Sequence, residues 1–325
     1  MGSGANPFPS SSPSRPRRPA RWGNRIFAFL TGAGAVILVG IVLALFVFLY
    51  LGAKQSIDTF GFRFFTISIW NPFPYNVYGI VPFLAGTLIT SSVALFVAVP
   101  LSLGAAIFLT QQAPRWMRGP VAQLIELLAA IPSIIYGFWA LIVLVPIMRY
   151  DIEPKLYTYL GWTGLFSGTP IGLDVLTASL VLAVMVIPTI TAISRDAMAA
   201  VPISQKEAAL SLGATNWEVT RRSVIPYART GIFAGIVLGL GRALGETMAV
   251  TLVIGNSNHV PKSLFSQGQT IASGIANQFL EASSPLELSA LIEAGLVLLV
   301  IALAINVGAR VILGRLQTGR GVGQE

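Results

Sequence analysis

The chain has 325 residues, 54% hydrophobic and only 10% charged, with a mean hydropathy of +0.75. A soluble domain carries roughly a quarter charged residues, so this composition describes one membrane domain rather than two soluble ones. Cysteine is absent and His259 is the single histidine, which excludes thiol chemistry, disulfides and Cys-ligated metal centres. The four lysines follow Ala53, Pro154, Gln205 and Pro261, so no P-loop ending is present. If ATP drives this protein, another chain hydrolyses it.

Residues 1–25 are rich in Ser, Pro and Arg and read as a disordered basic tail. Apolar runs follow at 26–51, 82–110, 121–148, 173–194, 231–254 and 288–313, each near or above the roughly 20 residues a membrane-crossing helix needs. The first is far longer than a secretory signal core and is read as an uncleaved span. Pro100 falls inside the second run, which is too short for two crossings and predicts one kinked helix. The expectation is therefore an all-α integral membrane protein with a six-helix domain over 26–313 and a short tail over 314–325. Fifteen Lys and Arg residues fall on the side of the tails and the 111–120 and 195–230 loops, against five in the remaining loops. That asymmetry predicts cytoplasmic N- and C-termini, and it assigns the +8 charge to orientation and anionic lipid rather than to nucleic acid.

The 195–230 loop is long, charged and patterned like helix. Ser204 and Glu207 have capping-box spacing, Ala208 and Ala209 continue a short helix, and Gly213 is expected at positive φ. Thr215 and Glu218 repeat the spacing, and Pro226 is expected to end the second short helix. Such a glycine-bent hairpin fits either an interfacial element resting on lipid or a docking element for a cytoplasmic partner.

The order Glu207, Ala208, Ala209, then Gly213 and Pro226 is similar to the EAA loop of ABC importer permeases. The segment 223–226 departs from that family's usual ending at two places. Further motifs at 70–72, 78–79, 86–88, 126–137 and 239–249 resemble the phosphate-specific permeases of the PstC type, a likeness running over roughly residues 60 to 313. The resemblance implies a type I ABC importer permease fold in a bacterial inner membrane and a phosphate-importing function without catalysis by this chain. It implies a homologous PstA-type permease, two PstB-type ATPase subunits carrying ATP and Mg, and an extracytoplasmic PstS-type phosphate-binding protein. It also implies ATPase coupling through Ser204, Glu207, Ala208, Ala209, Gly213, Ala214 and Pro226.

Independently of any family, Gly231, Gly235 and Gly239 recur every four residues, and at helical spacing Arg242 and Glu246 share their face. Small residues so spaced predict a close helix contact, taken as the interface with the second permease. Arg242 and Glu246 then form either an i,i+4 ion pair locking helices together or an anion site. In the second reading Arg242 offers a planar fork to a tetrahedral oxyanion. Glu246 accepts the proton that phosphate retains and sulfate lacks. Glu126 and Glu293 fall near the ends of their runs and are expected to be solvated. Another oxyanion importer is the alternative. A secondary transporter would need a second half that six spans do not supply. An intramembrane enzyme would have to draw on Glu126, Glu246 or His259, none of which is near another in sequence.

Overall fold

The computed structural model describes residues 21–318, so most of the two expected tails lies outside the described residues. The chain divides into two units at Phe48 and Leu49. The described part of the first is helical and presents its apolar side chains outward, Val36, Leu38 and Ile41 each at 60% exposure or more.

Among the described residues, six helical runs are long and apolar enough to cross a membrane: Asn24–Phe65, Val81–Gln112, Ser133–Thr163, Val175–Ala199, Asn216–Gly245 and Pro285–Gly314. The number is as expected, but several boundaries are not. Helix α1 spans Arg21–Phe60, beginning inside the expected tail. A two-residue hairpin pairs β1 (Trp70–Asn71) with β2 (Val77–Tyr78), with Trp70 opposite Tyr78. Helix α2 (Val81–Ile107) runs through Pro100 and ends in a π-turn, Phe108–Gln112, as one helix. Three of its buried hydroxyls are satisfied within the helix: Thr87, Thr90 and Ser91 donate to the carbonyls of Phe83, Gly86 and Thr87 at 2.7 to 2.8 Å. That arrangement suits a segment with no water to bond.

The third run departs from expectation. Helix α3 (Arg115–Ala130) stops at Ile131, held extended with ψ 130° because the following proline disfavours helical backbone before it. The crossing run begins afresh with α4 (Ser133–Trp139), continues through α5 (Val145–Ile147) and two π-turns, and reaches α6 (Glu153–Leu160). Much of the expected 149–172 loop is thus helix. Helix α7 (Val175–Ala199) is the most buried run and contains Pro188. There Ser102 of α2 donates to the Ile187 carbonyl at 3.2 Å, a polar tie beside the turn that the proline weakens.

Helix α8 (Ile203–Ser211) and α9 (Asn216–Val219) form the expected bent pair, but α9 runs through a π-turn at Thr220–Val224 straight into α10 (Ile225–Gly245). Pro226 does not end a helix. It sits in the first turn of α10, where its missing N–H is tolerated, and the wider π-turn ahead of it carries the chain through. The fifth run also ends early: the chain leaves helical geometry at Glu246, and α11 (Met248–Val253) is a separate short helix. Helix α12 (Ile271–Gln278) lies within the expected 255–287 loop, and α13 (Pro285–Thr318) closes the described chain.

Of the four apolar clusters among the described residues of this second unit, three bear on the site. The largest joins Ala94 and Ala98 of α2, Val181 to Ile190 of α7 and Val250 and Val253 of α11. A second joins Phe64, Trp70, Tyr78 and Phe83 to Ile271 and Leu291. A third, around Met198, Val219, Val224 and Ile232, anchors the α8–α9 segment. The 86–88 motif has a packing cause. Gly86 lies against the Gln269 carbonyl, which leaves no room for a side chain, and Thr87 Oγ1 accepts the Ile271 N–H at 2.9 Å, fastening the start of α12 to α2.

Candidate functional site

The glycine stripe on α10 does make a close helix contact, but within this chain. A Cβ at Gly235 would lie 3.2 Å from the Cβ of Ile193, one at Gly239 would lie 2.7 Å from Cγ1 of Ile190, and Gly231 faces Ala197. All three partners are on α7. The assignment of Gly231, Gly235 and Gly239 to an interface with another permease is therefore corrected. Spacing of small residues shows that a helix approaches; it does not say whose helix it is.

One turn past Gly239, the same face brings Arg242 to α7, where Nη1 donates to Thr189 Oγ1 at 3.2 Å. This is the only side-chain hydrogen bond of Arg242 among the described residues, and the guanidinium has five N–H donors to offer. The Tyr136 ring is near enough for the charge of Arg242 to act on it, and its hydroxyl donates to the Leu128 carbonyl at 2.8 Å, bridging the α3–α4 break. Gly137 lies against α11, where a Cβ would come within 2.9 Å of Ala249 Cα. The motifs around 126–137 and 239–249 are thus two sides of one contact.

Glu246 is not one helical turn beyond Arg242. Its backbone is extended (φ −69°, ψ 128°), and Oε1 instead accepts the Ala249 N–H at 3.3 Å, capping the first turn of α11. Among the described residues no N···O distance of 4 Å or less joins Arg242 to Glu246, and the i,i+4 ion pair is not formed. The physical reason is the break itself: α10 ends at Gly245 with Arg242 in its last turn, and Glu246 stands before α11. Each charge thus lies at the helix end whose dipole favours it. Both side chains remain partly exposed.

The segment expected to couple to an ATPase, α8 and α9, lies at the far end of α7 and α10. Gly213 has φ +83° and closes α8: its N–H bonds the Leu210 carbonyl at 2.9 Å while Ala214 N–H bonds the Ala209 carbonyl at 3.2 Å. This pair of bonds uses carbonyls the helix end would otherwise leave open. Thr215 and Glu218 form the expected capping box. Ser204 and Glu207 do not. Pro202 precedes the helix with its φ already fixed and starts α8 two residues sooner, which leaves Ser204 inside the first turn. Ser204, Glu207 and Ala208 are exposed, Ala209 and Ala214 are half-buried against the third cluster, and Pro226 is exposed. Ile203, Leu210, Leu212 and Trp217 project from the same segment at 46% to 89% exposure.

Two further acids behave differently from each other. Glu126 is exposed on α3 and pairs with Arg195 at 3.1 Å, tying α3 to the end of α7. Glu293, expected to be solvated, is 4% exposed, and its Oε2 has no partner. Thr189 and Arg195 escaped the sequence reading; Thr189, directly after Pro188 in an apolar run, was the readable signal. His259 bonds Ser257 at the surface, and among the described residues no group of three or more potential ligands could hold a metal. An amide-lined cavity near α12 holds a chain from Trp70 Nε1 through Gln278 to Asn258 and Gln269, at 2.6 to 3.0 Å. Neither Arg242 nor Glu246 lines it.

Residues 98–318 match the sequence profile of the family described as "Binding-protein-dependent transport system inner membrane component". The chain is 48% identical over 300 residues to the phosphate transport system permease protein PstC of Pasteurella multocida, covering 91% of this chain and 93% of that one. It is 46% identical over 304 residues to PstC of Haemophilus influenzae, covering 92% and 96%. Among solved structures, a bacterial ABC transporter involved in the import of the acidic polysaccharide alginate aligns with 90% of this chain and 98% of its own. The TM-score is 0.57 at 18% identity, a likeness of fold alone.

Proposed function

This chain belongs to the binding-protein-dependent transport system inner membrane components, among the phosphate permeases of the PstC type, and from that premise we propose how it works as the permease subunit of a phosphate ABC importer. The observation that carries the reading is the agreement with phosphate permeases over nearly the whole chain.

In this proposal Arg242 is the phosphate ligand. Its guanidinium is held from one side by Thr189 and has open donors, the fork geometry a phosphate oxygen pair fits. Glu246, with Oε1 already committed to the Ala249 amide, has Oε2 to accept the hydroxyl proton that phosphate carries near neutral pH. The broken backbone at 245–247 and at 131–132 gives the site helix ends rather than continuous apolar walls, which is how irregular backbone is tolerated at depth when it lines a path.

The exposed apolar side chains of α8 and α9, with Glu207, dock in a groove of an ATPase dimer in the cytoplasm. ATP and Mg belong to that partner. Closure of the dimer moves α9, and because α9 is continuous with α10 the movement is delivered directly to Arg242. A homologous PstA-type permease completes the path, an extracytoplasmic phosphate-binding protein delivers the ion, both chain termini are cytoplasmic, and the membrane is the bacterial inner membrane. Co-purification with an ATPase and phosphate-stimulated ATP hydrolysis in vesicles test the proposal. Phosphate uptake by vesicles that contain no ATPase would overturn it in favour of a secondary transporter.

A further inference from the structure

At the end of α7 remote from the coupling segment lie two carboxylates that neither phosphate binding nor coupling uses. Glu153 is the first residue of α6 and Asp174 immediately precedes α7; both are fully buried, at 0% exposure. Each gives one oxygen to a backbone amide. Asp174 Oδ1 accepts from Thr177 at 2.8 Å as the helix cap, and Glu153 Oε2 accepts from Gly172 at 3.0 Å. The other two oxygens, Glu153 Oε1 and Asp174 Oδ2, are buried with no hydrogen-bond donor, and the two side chains are within hydrogen-bonding reach of each other.

Ionised carboxylates only accept, so two of them facing one another in a dry interior repel and leave both oxygens unsatisfied. Among the described residues no cation neutralises them. The titratable groups on the surrounding elements are Arg149, Tyr150, Asp151, Lys155, Tyr157 and Tyr159 on the same run and His259 and Lys262 on the loop after α11, and all are exposed. None forms an ion pair with Glu153 or Asp174, and the Arg149 guanidinium stands 5.4 Å over the Tyr150 ring instead. Helix α2, which packs along α7, carries no titratable side chain. A divalent cation is also a poor fit, because calcium or magnesium takes about six oxygens or more and only two are open here. A proton satisfies both oxygens with a single bond.

We propose that Glu153 and Asp174 form a proton-binding site, in which one proton bridges Glu153 Oε1 and Asp174 Oδ2 and fastens the end of the third apolar run to the start of the fourth. The pair then carries one negative charge, shared. Loss of the proton places two charges in one closed space and releases the junction. The part set free is the left-handed turn at Gly172 (φ +78°), which is pressed against the Val145 carbonyl with no room for a side chain.

The electrostatics run the same way. Burial, with the neighbouring Glu153 charge, pushes the Asp174 carboxyl up from 3.8 to about 8. Since the folded value lies above the ordinary one, the contribution of the bridge is complete below about pH 4 and is lost as pH rises to about 8. The equilibrium for opening the junction therefore grows about tenfold per pH unit across that window.

The test is infrared difference spectroscopy on the assembled transporter in lipid, between about pH 6 and about pH 10. The wild type should lose one protonated-carboxyl C=O band with a midpoint near 8. Glu153→Gln and Asp174→Asn each keep the shape and supply an amide donor to the remaining carboxylate. Both should abolish that band and flatten the decline of thermal stability with pH. Because Glu293 is a second buried acid, the band is assigned by its loss in a variant, and if one variant fails to assemble the other assigns it. A wild type without the band at neutral pH, or a band that survives in both variants, overturns the proposal.

Discussion

The contact between α10 and α7 can be tested by a double-mutant cycle at Gly239 and Ile190. Ile190 is fully buried, and an added Cβ at Gly239 would stand 2.7 Å from its Cγ1 and 2.8 Å from its Cδ1. Gly239→Ala should gain up to about 1 kcal/mol from helix propensity but lose about 1 to 3 kcal/mol to overpacking, for a net loss. Ile190→Ala alone opens a cavity and should cost about 2 to 5 kcal/mol. In the double variant the new methyl enters space the isoleucine has vacated, so the loss should fall short of the sum by about 1 to 3 kcal/mol. The propensity term cancels in the cycle. Gly241, on the same helix with nothing within 4 Å of where an added methyl would stand, is the control, and Gly241→Ala should stabilise. Thermal unfolding of the purified complex gives the four stabilities. Losses that add to within about 0.5 kcal/mol would refute the internal contact and return the stripe to an interface between subunits.

Arg242→Lys keeps the charge but loses the fork, so phosphate uptake should fall by about tenfold or more while the complex still assembles; unchanged uptake would remove Arg242 as the ligand. Glu246→Gln keeps an oxygen for the Ala249 amide but loses the acceptor-only carboxylate, so sulfate should gain on phosphate in competition uptake, and arsenate, which carries a proton, should track phosphate. Thr215→Ala should cost about 1 kcal/mol by removing a working cap, whereas Ser204→Ala should cost well under half of that, a comparison that thermal unfolding reads directly.

The legible part of the fold was what composition and period control. Six apolar runs predicted six crossing helices, and Gly213 with Thr215 and Glu218 predicted a bend and a cap that form as expected. The boundaries were hidden where apolar residues lie on both sides of a break. Nothing in hydropathy separates α3 from the run after Ile131, although Pro132 was visible, and nothing marks Glu246 as the end of a helix, since Gly245 and Thr247 are each tolerated within one. Pro226 misled for the opposite reason: a π-turn absorbed it. The burial of Glu153 and Asp174 was invisible because Glu153 lies in a stretch that reads as polar loop and Asp174 is the second residue of the run expected at 173–194, at the end where water is expected.

The break at Glu246 changes what the two charges can do. Had Arg242 and Glu246 shared one helix, the nearest partner for each would have been the other, and an incoming anion would have had to displace a carboxylate from the guanidinium. The structure keeps them apart by giving Glu246 an amide of α11 and Arg242 the hydroxyl of Thr189. A neutral partner leaves the arginine its full charge, and the hydroxyl fixes one edge of the fork while the rest stays open. Thr189→Val tests that division of labour, because it removes the hydroxyl at nearly constant volume and leaves both charges in place. If Thr189 only positions Arg242, phosphate uptake should fall through weaker apparent affinity, with the maximal rate and assembly largely kept. A loss of assembly without any change in affinity would mean instead that the bond serves the helix contact and that Arg242 needs no help to meet its anion.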